Sequence, residues 1–185
     1  NGYDIRPLTK GSFDAMSIQS VDEAGGWVYY IASPDNVTQR YLYRSKLDGS
    51  RTDERVTPAR FQGWNSYNFS PNAHWAVQIS SSFGKYSKID LLDLRSGSVA
   101  RSIVDNASAQ AKLDKLTKGP QEFFRIDIGS DVSLDGWMMK PPNFDPAKKY
   151  PVLFYAYTEP AGTTVNDQWA GSQYFWYLML TQQGY

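Results

Sequence analysis

Cysteine is absent from this chain of 185 residues. That excludes disulfides, thiolate–zinc centres and a cysteine nucleophile. Histidine occurs once, at His74. A metal site built from several histidines is therefore impossible within the chain, and a Ser-His-Asp arrangement would have to use that residue. Net charge is also lacking, since Lys and Arg number 19 and so do Asp and Glu. Composition thus gives no support to a basic nucleic-acid surface. No apolar run approaches the ~20 residues of a membrane-spanning helix. With 41% apolar and 21% charged residues, the chain is not a disordered tail either.

What is abundant is aromatic. Phe, Trp and Tyr make up 15% of the chain, and such residues favour strands because they pack on a pleated, half-buried surface. Fourteen Gly and ten Pro supply punctuation for many short turns.

Residues 13 to 104 read as short strands separated by turns. Trp27 to Ala32 is an apolar run of strand length, and Arg40 to Leu47 alternates charged with apolar residues. Asp48-Gly49 is a hairpin turn signal, with Arg51 to Thr57 as the partner strand. The same order then recurs. Tyr67 to Phe69, Trp75 to Ile79, Lys88 to Leu94 and Val99 to Val104 are strands, with a turn at Ser70 to Ala73. Trp27 and Trp75 lie 48 positions apart, and Leu47 and Leu94 lie 47 apart. Four strands at this period suit propeller blades of ~40–50 residues. Two repeats fit a generic antiparallel sandwich equally well.

The pattern changes after Val104. Asn106 is placed to cap a helix through its side-chain oxygen, Ala107 to Leu116 is rich in helix formers, and Gly119-Pro120 stops it. Gln121 to Ile128 and Val132 to Met139 are strands again. Pro141 to Pro146 is a rigid connector. Tyr150 to Tyr157 is nearly all apolar and predicts a strand covered on both faces, as in an α/β sheet. Ser172 to Gln183 predicts a helix that buries much of its surface. The domain boundary falls in the helical stretch, giving residues 1–118 and 119–185.

The stretch Gly136-Trp137-Met138-Met139-Lys140-Pro141-Pro142-Asn143-Phe144-Asp145-Pro146-Ala147-Lys148-Lys149-Tyr150-Pro151-Val152-Leu153 resembles the entry to the catalytic domain of the dipeptidyl peptidase IV branch of the prolyl oligopeptidase family. The family pattern is an apolar strand, Pro-Pro, a Phe-Asp turn, Lys-Lys-Tyr-Pro and a second apolar strand ending in Tyr-x-x-Pro. Tyr157-Thr158-Glu159-Pro160 stands in that last place. The resemblance implies a mainly β chain, with antiparallel β-propeller blades over residues 1–118 followed by the first strands of an α/β-hydrolase domain over residues 119–185. The chain would be a fragment of a serine exopeptidase that releases X-Pro or X-Ala dipeptides from peptide amino termini.

The resemblance also implies a role for Tyr157 as the hydroxyl that donates to the oxyanion of the tetrahedral intermediate. A Gly-x-Ser-x-Gly nucleophile elbow is absent. Gly11-Ser12 and Gly97-Ser98 are plain turns, and Gly171-Ser172 lacks the second Gly. In this family Asp and His follow the elbow, so nucleophile, Asp and His are expected outside the chain, which alone is expected to be inactive. No metal or organic cofactor is implied. The expected partner is a peptide substrate of the intact protein, with no nucleic acid and no membrane span in this chain. The resemblance admits a homodimeric parent and implies a periplasmic or otherwise exported location. The alternative reading is a non-catalytic propeller and hydrolase-like protein that has lost its triad and acts by interaction.

Other candidate residues take plainer roles. His74 falls in a turn between strands. The sequons at Asn36, Asn68 and Asn106 are within what chance supplies, and glycosylation is unsupported. Asp127, Asp131 and Asp135 are spaced by four, too widely for an EF-hand loop. Trp64, Tyr67 and Phe69 could stack on sugars or bases, but a propeller core accounts for them more simply.

Overall fold

A computed structural model describes residues 3, 5–157 and 162–185. Four strands, β1 (Ser17–Asp22), β2 (Trp27–Ala32), β3 (Tyr41–Lys46) and β4 (Glu54–Arg55), pair in chain order as one antiparallel meander. Four more, β5 (Trp64–Phe69), β6 (Trp75–Ser82), β7 (Lys85–Asp93) and β8 (Ser98–Val104), form a second meander in the same way. Each has the form of a propeller blade. The helix α1 (Ala107–Asp114), the hairpin β9 (Gln121–Asp127) with β10 (Ser133–Met139), and the helix α2 (Ser172–Gln182) complete the order. No helix of the described residues is long and apolar enough to cross a membrane.

Strand periodicity explains the core. Successive side chains of a strand point to opposite faces. Tyr29 and Ile31 of β2, Leu42 of β3 and Val56 therefore meet Tyr67, Ala76, Leu92 and Leu94 of the second blade in one apolar cluster. The alternate residues Tyr30, Ala32, Tyr41 and Tyr43 form a separate buried cluster on the other face, against which Phe13 packs. Burial on both faces is why β2 reads as an uninterrupted apolar run.

The blades are also joined by polar contacts. Asn65 Nδ2 donates to the Arg40 carbonyl at 2.9 Å while Asn65 Oδ1 accepts from Gln78 Nε2 at 2.8 Å. Gly63 enters β5 with φ 87°, and a Cβ there would run into the Ser81 carbonyl. Only glycine meets both demands without cost.

α2 closes over the far side of the second blade. Leu113, Tyr174 and Leu178 are buried together, with Phe83, Tyr86, Met139 and Trp169 packed around them. Trp137 on β10 bridges Phe83 and Tyr177, with ring centroids 5.0 Å away in each case.

Three expectations need correction. β4 is only Glu54–Arg55, not Arg51 to Thr57. Asp53 takes φ 59°, which breaks the extended backbone, and Val56 and Thr57 both donate to the Leu42 carbonyl instead of continuing the ladder. Asn106 does not cap α1 with its side chain. Its backbone is left-handed at φ 53°, and its Nδ2 reaches the Ser87 carbonyl at 2.7 Å. Asp105 Oδ1 accepts from the Ala107 N–H instead. Tyr150 to Tyr157 forms no strand. Its backbone finds no ladder partner among the described residues, and without one an apolar extended segment is not a sheet member.

Candidate active site

Tyr157 is the last residue of that apolar stretch in sequence. The approach to it is built by the proline-rich connector. Lys140 N–H donates to the Pro120 carbonyl at 2.9 Å, which fixes where the hairpin ends. Phe144 stacks on Tyr150 with centroids 5.1 Å apart, and the Tyr150 hydroxyl accepts from the Asp145 N–H at 2.9 Å. Val152, Leu153 and Phe154 follow with their side chains exposed, the last at 89%. Tyr155 lies close enough to Tyr177 of α2 that, after burial itself, it helps push the Tyr177 phenol upward.

Tyr157 is 55% exposed. One side of its ring is set against Gly162, where any Cβ would collide with the ring. Thr158, Glu159 and Pro160, the rest of the Tyr-x-x-Pro motif, lie outside the described residues. A phenol carries one O–H donor. It can serve developing negative charge on a molecule that approaches it.

Beyond Gly162 the chain returns to the blades. The Asp167 carboxylate accepts from Gln39 Nε2 at 2.7 Å and from the Phe83 N–H at 2.8 Å. Its own N–H donates to the Thr38 carbonyl at 2.8 Å. Two residues on, Trp169 N–H donates to Ser81 Oγ at 3.2 Å, and its ring lies 4.3 Å from that of Tyr86. Gln39 is buried, and its Oε1 is contacted by the Tyr41 hydroxyl, which also reaches Gln62 Oε1 at 3.0 Å. None of these residues carries a recognisable motif. Asp167 sits in the polar run Val165-Asn166-Asp167-Gln168, whose composition alone marks only a loop.

His74 lies elsewhere, in the β5–β6 turn. Its N–H donates to Asn72 Oδ1 at 3.2 Å and its carbonyl accepts from the Leu94 N–H at 3.0 Å. Asp135 pairs with Arg125 at 3.4 Å across the β9–β10 hairpin. Among the described residues no three His, Asp or Glu side chains converge on a metal-sized site. A cleft of about 880 Å³ opens between β8, α1 and Phe175, with Ile103, Lys112 and Leu116 on its walls. No residue of the segment around Tyr157 lines it.

Residues 1–86 match the family model for the dipeptidyl peptidase IV N-terminal region. A "Probable dipeptidyl peptidase 4" of Emericella nidulans is 28% identical over 96% of this chain and 23% of its own length. A "Probable dipeptidyl-aminopeptidase B" of Penicillium rubens is 33% identical over 86% of this chain and 18% of its own length. The crystal structure of Porphyromonas gingivalis dipeptidyl peptidase 4 superposes with a TM-score of 0.86 and 27% identity. It covers 98% of this chain, and this chain covers 25% of it. The chain thus spans a quarter or less of the length of these relatives. By the family match over residues 1–86, its likeness to these relatives over most of its length and the fold it shares with the solved structure, the chain belongs to the dipeptidyl peptidase IV-like family.

Proposed function

We propose that the whole protein carrying this chain is a serine dipeptidyl peptidase, releasing X-Pro or X-Ala dipeptides from peptide amino termini. Residues 1–118 supply two propeller blades and the connector helix. Residues 119–185 open the hydrolase domain. The nucleophilic Ser, its Asp and its His come from outside these 185 residues. The relatives named as dipeptidyl peptidases support this reading.

The observation that carries the reading is Tyr157 itself. It ends an apolar segment, its ring is backed by Gly162, and it is half exposed. In the proposed mechanism the Ser oxygen attacks the carbonyl carbon of the substrate's second residue. The electron pair of the C=O bond moves to oxygen. Tyr157 donates its phenolic O–H to that oxyanion, beside a backbone N–H. The His, having taken the Ser proton on attack, passes it to the amide nitrogen, so that the C–N bond breaks, the shortened peptide leaves as an amine and the acyl-enzyme remains. Water then attacks the acyl carbon as the His takes its proton, the same donor serves the second oxyanion, and the ester C–O bond breaks as that proton returns to the Ser oxygen, which releases the dipeptide. Such a donor is stronger toward the charged intermediate than toward the neutral carbonyl, so it acts mainly on the transition state.

Tyr157→Phe in the full-length protein tests this. Phe keeps the ring against Gly162 and removes only the hydroxyl. The expected outcome is a kcat lower by roughly 100-fold on a Gly-Pro anilide, with a much smaller change in KM. A wild-type kcat would refute the assignment.

A further inference from the structure

We propose that Asp167 is a positioning residue: it fixes the segment from Gly162 onward to both blades and so sets where the Tyr157 hydroxyl stands. This rests on the oxyanion role proposed above for Tyr157.

The two donors to the Asp167 carboxylate come from different blades. Gln39 belongs to the β2–β3 connection of the first, and Phe83 to the β6–β7 turn of the second. The Asp167 N–H adds a third bond, to Thr38 beside Gln39. Gly63, in the link between the blades, lies against the Asp167 carbonyl. The segment is thus fastened at the seam between the blades. Hydrogen bonds to an ionised acceptor are roughly twice as strong as neutral ones.

The other end of the segment is Gly162, packed under the Tyr157 ring. Gly162 and Asp167 lie five positions apart, a span of at most ~17 Å when fully extended. A tether this short passes a displacement at the seam to the floor beneath the ring. Trp169, wedged against Tyr86 and Tyr174, holds the segment beyond Asp167 but makes no bond to the first blade. Of the three bonds that Asp167 makes to the blades, the carboxylate supplies two, one to each blade, and the backbone N–H bond to Thr38 is the third. An oxyanion donor displaced by about an ångström loses up to ~100-fold in rate.

The test is a double-mutant cycle in the full-length protein, with rates normalised to folded enzyme. Asp167→Ala is expected to lower kcat on a Gly-Pro anilide about tenfold while KM stays within about twofold. Asp167→Asn keeps one acceptor oxygen in place and is expected to lose about threefold, which provides a reading should the alanine variant fold poorly. Combining Asp167→Ala with Tyr157→Phe is expected to cost little beyond Tyr157→Phe alone, because a missing hydroxyl cannot be misplaced. Wild-type kcat per folded enzyme in both Asp167 variants would overturn the proposal, as would losses that multiply in the double variant. A wild-type kcat for Tyr157→Phe would instead overturn the oxyanion reading, and this proposal with it.

Discussion

The hydroxyls of Thr57 and Tyr67 lie 2.6 Å apart, across the junction of the two blades. Thr57 Oγ1 also accepts from the Leu42 N–H at 2.7 Å, so a single threonine serves a strand of the first blade and a side chain of the second. Both hydroxyl-bearing residues are buried. Burial is the main reason the Tyr67 phenol is pushed far above its ordinary range, although the Thr57 bond opposes the shift.

Thr57→Val should therefore destabilise more than Tyr67→Phe. Valine keeps the shape but leaves the Leu42 N–H and the Tyr67 hydroxyl without this partner, each at ~1–3 kcal/mol. Phenylalanine removes one hydroxyl and leaves the Thr57–Leu42 bond intact, at ~1 kcal/mol. Chemical denaturation of both variants in the full-length protein checks the order. Equal losses, or a larger loss for Tyr67→Phe, would contradict the picture of Thr57 as the shared partner of Leu42 and Tyr67.

Alkaline pH should weaken the fold. Burial is the leading cause that raises Tyr29, Tyr30, Tyr41, Tyr43, Tyr67, Tyr174 and Tyr177 above the ordinary phenol value of 10.0. In the unfolded chain these groups release protons near pH ~10, while the folded chain retains them. The unfolded state then binds fewer protons, so stability falls as pH rises. Their contribution is complete below pH ~10 and is lost as pH climbs through the raised folded values. Thermal melts between pH 8 and 11.5 should show Tm flat at first and falling above pH ~10. A Tm that rose or stayed flat over the upper part of that range would refute this.

The 185-residue chain, prepared alone, should show no turnover of a Gly-Pro anilide and should self-associate. The first expectation follows from the missing nucleophile elbow. The second follows from Val152, Leu153, Phe154 and Tyr155 together with Phe175, Trp176 and Met179, all large apolar side chains left exposed. Burying one such side chain is worth ~1.5–3 kcal/mol, so several together rival a domain's net stability of ~5–15 kcal/mol. Turnover blocked by a serine-directed phosphonate would refute the first. A monodisperse monomer in sedimentation, with a sharp cooperative melt, would refute the second.

Much of this fold is legible in local sequence. Trp27–Ala32 is a strand with the bounds its apolar run suggests, and the recurrence of tryptophan after 48 residues marks the spacing of the two blades. Asp48-Gly49 turns the chain because glycine accepts φ 77° there and Asp48 Oδ1 takes the Ser50 N–H. The helices at Ala107–Asp114 and Ser172–Gln182 follow from helix-forming composition between breakers. These features depend on neighbours a few positions away, and periodicity records them directly.

Tyr157 was named by the motif that precedes it, and no periodicity singled it out among thirteen tyrosines. The clasp at Asp167 left no trace in the sequence, because its partners Gln39 and Phe83 lie 128 and 84 positions away. Tyr150 to Tyr157 departs from the expected strand for a related reason. Apolar composition states that a segment is suited to burial, but only a hydrogen-bonding partner makes it a strand. Local sequence therefore determined the blades, the turns and the helices. The tertiary structure alone decided which carboxylate joins the loop to the blades, since a bond between residues far apart exists only once the chain has folded them together.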